Sequence, residues 1–212
     1  MIPRFSKRSV RSNLCYNAPV MRIVIGITGA SGLALADSFL GLIQDNREHL
    51  DLEAHLVVSD NARLVGQAEG CGFESERYGD WLKLWDPSDF SAPFASGSYQ
   101  VAGMVIVPAS MSSIGAIASG FGTNLIHRSA DVCLKEGRKL ILVPRETPFN
   151  LIHLENMTRL KRAGAHIVPF IPSFYNKPES VDDMLTFFSL RLLDMLGKRL
   201  PHEGRWGERL SR

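Results

Sequence analysis

Short apolar runs that alternate with helical patterns constrain this chain more than any other feature of its sequence. Runs rich in β-branched residues predict strands at Arg22–Thr28, Glu53–Ser59, Gly103–Pro108, Lys139–Pro144 and His166–Phe170. Their near-continuous apolar character is typical of strands that are buried on both faces of a sheet. The helical patterns between the strands cover Gly32–Gln44, Asp60–Gln67, Ser112–Ser119, Ser129–Glu136 and Phe149–Ala163. This alternation predicts a single α/β domain, built on a parallel sheet with helices on both faces.

The rest of the chain fits one such domain with short extensions. A last helix, about Ser180–Leu196, follows Pro178 and has Ser180 placed as its N-cap. Residues 70–100, rich in Gly, Ser, Asp and Trp, predict an excursion with little regular structure. No apolar run approaches the roughly 20 residues that a membrane-spanning helix needs. We therefore divide the 212 residues into an arm at 1–20, a domain at 21–200 and a tail at 201–212.

The net positive charge of the chain comes from the arm alone. Arg4, Lys7, Arg8 and Arg11 give residues 1–20 a charge of +4, which leaves 20 basic and 22 acidic residues in the remainder. A nucleic-acid-binding domain keeps its basic surplus on the folded part, so the charge argues against that class. The composition of the arm is compatible with three interpretations: a disordered segment, sequence upstream of a true start at Met21, or a mitochondrial transit peptide. A transit peptide would place the protein in mitochondria.

Cysteine and histidine spacing argues against a disulfide framework and a metal site. Cys15, Cys71 and Cys133 are odd in number and contain no CxxC pair. A reducing compartment, the cytoplasm, is the simplest interpretation. His127 and His153 lack metal-ligand spacing with each other or with the cysteines, so we expect both to be structural.

The segments that follow the predicted strands are the candidate site, because a doubly wound sheet binds ligands beyond the carboxyl ends of its strands. Small residues and hydroxyls follow the first three strands, at Gly29–Gly32, Ser59–Asp60 and Ala109–Ser113. Charge and a phenol follow the others, at Arg145–Pro148 and Pro172–Pro178. A small-residue turn that opens a helix lets backbone N–H groups approach an anion closely. Together these turns predict a phosphate-bearing, partly planar ligand, although any one of them is also compatible with a tight turn that binds nothing.

Four cations and a carboxylate are candidates for chemistry, and each has a simpler alternative. Arg145 can clamp a phosphate and Glu146 can move a proton, or the two side chains can form a surface salt bridge. Arg191 falls on the predicted apolar stripe of the last helix, where it needs an internal carboxylate or a bound anion. Arg128 and Lys135 lie seven residues apart, a spacing that ordinarily marks a solvated helix face.

The motifs of the chain, taken in order, resemble those of the flavin prenyltransferase family. They are Thr28–Gly32 (TGASG), Ala95–Ser98 (ASGS), Asn124–Val132 (NLIHRSADV), Leu134–Glu136 (LKE), Pro144–Pro148 (PRETP), Ile152–Met157 (IHLENM), Phe174-Tyr175, Pro178, Ser180–Asp183 (SVDD) and Arg205–Glu208 (RWGE). These are the UbiX-type proteins, formerly classed as aromatic-acid or polyprenyl-hydroxybenzoate decarboxylases. The turn at Ala109–Ser113 departs from the family pattern, in which Pro-Cys-Ser is common.

The resemblance implies a flavodoxin-like, Rossmannoid subunit in a homododecamer with active sites at subunit junctions. It implies a metal-independent transferase that binds reduced FMN as a substrate and takes a prenyl group from dimethylallyl monophosphate. The group would join flavin N5 and then close a ring onto C6. Prenylated FMN, the product, would serve a UbiD-type decarboxylase in ubiquinone biosynthesis or in aromatic acid decarboxylation.

The resemblance also implies roles for individual residues. The phosphate-binding set is Arg128, Lys135, Arg145, Tyr175 and Arg191, with Lys135 reaching in from a neighbouring subunit. The catalytic set is Ser31, Glu146, Arg145 and Lys135, with Ser31 and Glu146 near N5 and C6. The flavin-binding set is Gly29, Ala30, Ser31, Ser59, Ala109, Ser110, Met111, Ser112, Arg145 and the tail residue Trp206.

Three other functions compete with this one. A flavin-dependent cysteine decarboxylase of the same superfamily would carry a His in the first helix and an Asn in the turn at Pro108, and neither is present. A short-chain dehydrogenase needs a Tyr followed four residues later by Lys, and no tyrosine here has one. An FMN-binding storage or assembly protein would bind the flavin but ignore the prenyl donor.

Overall fold

Six parallel strands form one sheet in the order β3-β2-β1-β4-β5-β6, in a computed structural model that describes residues 20–202. The strands are β1 (Met21–Ile27), β2 (Leu52–Val58), β3 (Leu82–Trp85), β4 (Gly103–Ala109), β5 (Lys139–Pro144) and β6 (His166–Ile167). The α-helices are α1 (Leu33–Asp45), α2 (Arg47–Leu50), α3 (Asp60–Glu69), α4 (Met111–Ser119), α5 (Leu125–Lys135), α6 (Leu151–Arg162) and α7 (Val181–Leu196). The predicted architecture is confirmed. Trp206 and residues 1–19 lie outside the described residues.

Helices cover both faces of the sheet, as the continuous apolar strands predicted. One layer contains α1, α3 and α7, packed on side chains such as Ile23, Ile25 and Ile27 of β1. The other layer contains α4, α5 and α6, packed on the alternate residues of the same strands. Gly26 allows α5 to approach β1 closely, because a Cβ at this position would lie 3.0 Å from a methyl group of Ile126.

The prediction of little regular structure across residues 70–100 is wrong at one place, since β3 lies within it. β3 pairs in parallel with β2, from Ala54 opposite Leu82 to Val57 opposite Trp85. It is a four-residue edge strand with an exposed Lys83, too short to stand out in the sequence. β6 is also shorter than predicted and ends at Ile167 rather than Phe170.

The strand order reverses between β1 and β4, which are neighbours in the sheet although two strands separate them in the chain. In open α/β sheets the crevice at this switch point, beyond the carboxyl ends of the strands, is where ligands bind. The fold therefore places the turns after β1 and β4 side by side. None of the helices within residues 20–202 is long and apolar enough to cross a membrane.

Candidate active site

Thr28 joins the turn after β1 to the turn after β4. Its backbone N–H donates to the carbonyl of Pro108 at 3.2 Å, and its hydroxyl donates to the same oxygen at 2.8 Å. The N–H of Ser110 in turn donates to the Thr28 hydroxyl oxygen at 2.7 Å. Because both turns share one buried side chain, they hold a fixed relative position at the switch point.

The turn after β2 is fixed to the same place by close backbone contact. The N–H of Ser59 donates to the carbonyl of Ile27 at 3.0 Å, and the Ser59 hydroxyl caps α3 by accepting from Ala62. A Cβ on Gly29 would lie 2.5 Å from the Cβ of Asn61 and 3.0 Å from its carbonyl carbon. Only glycine at position 29 lets the first turn of α3 come this near.

Arg145 completes the edge from the fourth strand. Its N–H donates to the carbonyl of Ala109 at 3.3 Å, which continues the β4–β5 pairing beyond the strands. Its side chain is exposed, and it makes no hydrogen bond or ion pair with any residue between 20 and 202. Glu146, half-buried next to it, accepts from the N–H of Thr147 at 2.9 Å instead of pairing with Arg145. The surface salt bridge between Arg145 and Glu146 is therefore not formed.

Glu69 contacts the turn after β1, and the sequence did not reveal this contact. Its carboxylate accepts from the N–H groups of Gly32 at 3.0 Å and Leu33 at 2.9 Å, at the N-terminus of α1. Partial burial raises the pKa of Glu69, but hydrogen bonds from Ser31, Gly32 and Leu33 and the positive charge of Arg145 outweigh it. The net result is a pKa below the ordinary value.

The carboxylate of Glu69 therefore fills the helix N-terminus that the glycine-rich turn offered to a ligand anion. It also brings a fixed negative charge beside two predicted catalytic groups, the Ser31 hydroxyl and the Arg145 guanidinium. Glu69 is the last residue of α3 and lies 37 positions after Gly32. The sequence contains no spacing rule that joins these two helix ends, so only the fold could show the contact.

Tyr175 packs against Phe187 of α7, on the same side of the helix as Arg191. The ring of Tyr175 meets that of Phe187 edge to face, with centroids 6.0 Å apart. Arg191 lies one helical turn after Phe187 and so projects from the same side of α7. The prediction that Arg191 occupies the apolar stripe is wrong: its side chain is 63% exposed and lies 3.8 Å from Asp194. The buried stripe runs through Ser189, Leu192, Leu193 and Leu196, on the opposite side of the helix.

Arg128 and Lys135 lie on a different surface, beside the predicted Ala95–Ser98 motif. Arg128 donates from Nε to the carbonyl of Ala95 at 3.0 Å and pairs with Asp131 at 2.9 Å. Lys135 pairs with Glu136, and a Cβ on Gly97 would lie 2.6 Å from the Lys135 ammonium nitrogen. We name Arg128, Lys135 and residues 95–98 the α5 surface.

Lys135 of the α5 surface cannot reach the carboxyl-edge site of its own chain. This residue ends α5 just before β5 begins, whereas Arg145 follows the end of β5. A strand of this length separates its two ends by about 20 Å. Lys135 therefore lies at the amino ends of the parallel strands, and Arg145 lies at their carboxyl ends.

A cavity of about 230 Å³ lies on the side of Arg128 and not among the turns. Its wall includes Phe90, Phe121, His127 and Asp131. At the carboxyl-edge turns, Arg145 and Ser112 are exposed and Ser31, Ser59 and Ser110 are half-buried. We locate the candidate site by its chemistry, since the cavity contains only one of the predicted residues.

His127 and His153 both make hydrogen bonds at the N-termini of helices. His153 closes a capping box at the start of α6, where its N–H donates to Asn150 at 2.9 Å and its Nδ1 accepts from the Asn150 N–H. His127 is buried between Thr123 and Ser113. Cys71 and Cys133 are free thiols. Within residues 20–202, no cluster of three or more His, Cys, Asp or Glu side chains could hold a metal ion.

Comparison with known proteins gives a consistent set of matches. Residues 12–188 match the Flavoprotein family model. Flavin prenyltransferase UbiX of Methanocaldococcus jannaschii is 41% identical over 194 residues, covering 88% of this chain and 99% of that protein. A dodecameric FMN-dependent UbiX-like decarboxylase from Escherichia coli O157:H7 superposes with a TM-score of 0.79 at 41% identity, over 88% of this chain and 99% of the other. AnUbiX, solved with FMN and dimethylallyl pyrophosphate, superposes with a TM-score of 0.76 at 38% identity, over 87% and 98%.

Proposed function

The chain belongs to the UbiX-type flavin prenyltransferases within the flavoprotein family, and on that premise we propose how its carboxyl-edge site works. The reaction joins a dimethylallyl group to reduced FMN and yields prenylated FMN, as its prenyltransferase relatives and an FMN-bound neighbour support. Dimethylallyl monophosphate is the donor that we propose, and the pyrophosphate of the AnUbiX complex is the alternative. The expected recipient of the product is a UbiD-type decarboxylase.

One observation supports the location of the site above all others. Hydrogen bonds join Ile27 to Ser59, Thr28 to Ser110, and Ala109 to Arg145, so three turns and one cation share a single edge. This edge has properties that FMN requires, namely hydroxyls for its phosphate and ribityl chain and a turn of small residues that opens a helix. We assign flavin binding to Gly29, Ala30, Ser31, Ser59, Ala109, Ser110, Met111, Ser112 and Arg145.

The cations of the site handle the phosphate of the donor. When the allylic C–O bond breaks, the electron pair leaves with the phosphate, and positive side chains stabilise the charge that develops there. Arg145 is exposed and lacks a pairing carboxylate among the described residues, which leaves its guanidinium available for bidentate phosphate contacts. Tyr175, which packs on Phe187, and Arg191, one helical turn after Phe187, would supply a phenol and a second guanidinium.

Proton transfer falls to Ser31 and Glu146 in this proposal. Bond formation at N5 releases one proton from the flavin, and ring closure adds a proton to the double bond of the prenyl group while C6 releases one. A carboxylate and a hydroxyl at the edge of the site can accept and pass on these protons, as can the departing phosphate. Reduced FMN supplies the nucleophilic nitrogen and carbon. These proton transfers therefore require no metal ion, and we expect full turnover in the presence of EDTA.

The α5 surface completes the site of a neighbouring subunit. Lys135 lies at the far end of β5 from the carboxyl-edge turns of its own chain. A relative with 41% identity is dodecameric. We therefore propose a homododecamer in which Lys135 and Arg128 of one subunit approach the donor phosphate bound at Arg145 of the next.

Anaerobic incubation with reduced FMN and each donor tests the reaction. Prenyl transfer adds one C5H8 unit to the flavin and releases phosphate, which mass spectrometry and phosphate assay measure. Faster turnover of the monophosphate than of the pyrophosphate supports the proposed donor. An FMN storage protein would bind the flavin and leave its mass unchanged with both donors, and that result would contradict the proposal.

We also propose that the protein works in the cytoplasm. Free Cys71 and Cys133 are compatible with a reducing compartment. Fractionation of cells that express the full chain would detect the protein with cytoplasmic markers. Recovery of a shortened form in mitochondria would instead support the transit-peptide interpretation of residues 1–20.

A further inference from the structure

His127 lies behind the flavin-binding turn and belongs to none of the catalytic or phosphate-binding sets. It sits in the first turn of α5 and is 6% exposed, while Ser113 in the first turn of α4 is 7% exposed. The Nε2 atom of His127 lies 3.2 Å from the Ser113 hydroxyl. The two side chains therefore connect the helix that follows β4 to the helix that packs beside it.

The tautomer of His127 follows from its other neighbour. The backbone N–H of Thr123 points at Nδ1 from 3.4 Å, and the Thr123 hydroxyl lies 3.2 Å from the same atom. A backbone N–H can only donate, so Nδ1 must be the unprotonated acceptor. The proton of the neutral ring is then on Nε2, which donates to Ser113.

Ser113 passes this constraint on to the turn. Its N–H donates to the Ser110 hydroxyl oxygen at 3.3 Å, and the Ser110 hydroxyl donates back to the Ser113 oxygen at 3.2 Å. Ser110 also contacts the Ser112 hydroxyl at 3.0 Å and is held by Thr28 from the other side. His127 is therefore the buried end of a hydrogen-bond chain whose exposed end is the flavin-binding turn.

We propose that His127 is a positioning residue for FMN, which acts through Ser113 to hold Ser110 and Ser112 in the geometry that binds the flavin. This inference rests on the assignment of that turn to flavin binding. It extends the proposed function to a residue that touches neither FMN nor the prenyl donor. The hydrogen bond from His127 holds the Ser113 hydroxyl in one orientation. Because Ser113 is bonded to Ser110, and Ser110 to Ser112, the hydroxyls of these two serines are then oriented as well.

The arrangement tolerates only the neutral imidazole. Burial lowers the pKa of His127, and a proton on Nδ1 would point at the Thr123 N–H. The charged residues that line the cavity beside His127 are Arg128 and Asp131, which pair with each other, and α4 and the segment around Phe90 contribute uncharged residues to this wall. Because the folded pKa lies below 6.5, the contribution of His127 is complete above pH 6.5 and is lost as the pH falls through the folded value.

Three variants test the proposal by FMN affinity, measured from flavin fluorescence, and by turnover at saturating FMN. His127→Phe keeps the ring and removes the donor, so it should weaken FMN binding roughly tenfold and change turnover less than twofold. His127→Gln keeps an N–H donor and should restore most of the affinity. His55→Phe removes a second buried histidine, 8% exposed and bonded to Tyr99 and Trp85, and should leave FMN affinity within twofold.

A pH series on the unaltered protein provides a second readout. In the wild type, FMN affinity should fall as the pH drops through the folded pKa of His127, and it should fall less in His127→Gln, where the FMN phosphate still titrates. Equal losses in His127→Phe and His55→Phe would mean that general destabilisation explains the effect and would overturn the inference. Wild-type affinity in His127→Phe would overturn it as well. If the wild type binds FMN tightly but transfers no prenyl group, the proposed reaction fails while the role of His127 in flavin binding stands.

Discussion

Lys135 and Arg145 serve one site from two different chains if the proposal is correct, and mixed oligomers can show this. Each residue lies at one end of β5, and the strand separates them by about 20 Å within a chain. In a heterologous interface every subunit offers its Arg145 edge to one neighbour and its Lys135 surface to another. A Lys135→Ala subunit retains an intact flavin edge, and an Arg145→Ala subunit retains an intact α5 surface.

Random assembly of the two variants then regenerates working sites. A site works when its edge comes from a Lys135→Ala subunit and its α5 surface from an Arg145→Ala subunit, so about a quarter of the sites are intact. Co-expression with two affinity tags, sequential purification and anaerobic assay of prenyl transfer should therefore give about a quarter of wild-type activity. Each variant alone should be nearly inactive, since each removes a cation that stabilises the leaving phosphate.

A matched mixture distinguishes the two geometries. Wild-type subunits mixed with the Lys135→Ala/Arg145→Ala double variant should also retain about a quarter of the activity if sites are shared. If each site belongs to one chain, that mixture retains about half, and the mixture of single variants retains none. Inactivity of the single-variant mixture beside half activity in the control would refute the shared site.

Three further substitutions test the edge itself. Glu146→Gln preserves size but not proton transfer, so FMN should bind normally while turnover falls at least tenfold; full activity would remove Glu146 from the mechanism. Glu69→Ala removes the carboxylate cap of α1 and should lower the free energy of unfolding by about 1 kcal/mol. Because the folded pKa of Glu69 lies below its usual value of 4.5, this deficit should be complete above pH 4.5 and disappear in urea titrations as the pH falls through the folded value. Gly29→Ala places a Cβ 2.5 Å from Asn61 and should cost about 1 to 3 kcal/mol and weaken FMN binding. Gly41→Ala, in open space on α1, should cost nothing; equal effects of the two substitutions would contradict the close-approach argument.

The sequence predicted which turns meet at the carboxyl ends of the strands, because parallel strands leave little freedom there. Once the strands at Arg22–Thr28 and Gly103–Pro108 were recognised, their following turns had to meet wherever the two strands became neighbours. Hydroxyl-bearing turns that also cap helices, such as Ser59 and Ser110, are readable from local spacing alone. The cap predicted at Ser180 is confirmed for the same reason.

Other features depend on how elements pack, and local spacing does not encode them. Glu69 reaches Gly32 because the end of α3 packs against the start of α1, although the two residues are 37 positions apart in the chain. Arg191 has the spacing of an apolar stripe with Met184, but both lie on the less buried side of α7. The direction in which a helix faces depends on its partner, here α1, rather than on its own period.

The division of cations between two surfaces is the feature that sequence order conceals most completely. Arg128, Lys135 and Arg145 are close in sequence, which favours a single cluster. The fold separates Lys135 from Arg145 because a parallel strand must return the chain from one edge of the sheet to the other. A parallel α/β subunit therefore cannot gather cations from both ends of one strand unless it assembles. On this reasoning, loss of the oligomer should abolish prenyl transfer while FMN still binds, since the flavin edge belongs to one chain and the α5 surface belongs to the next.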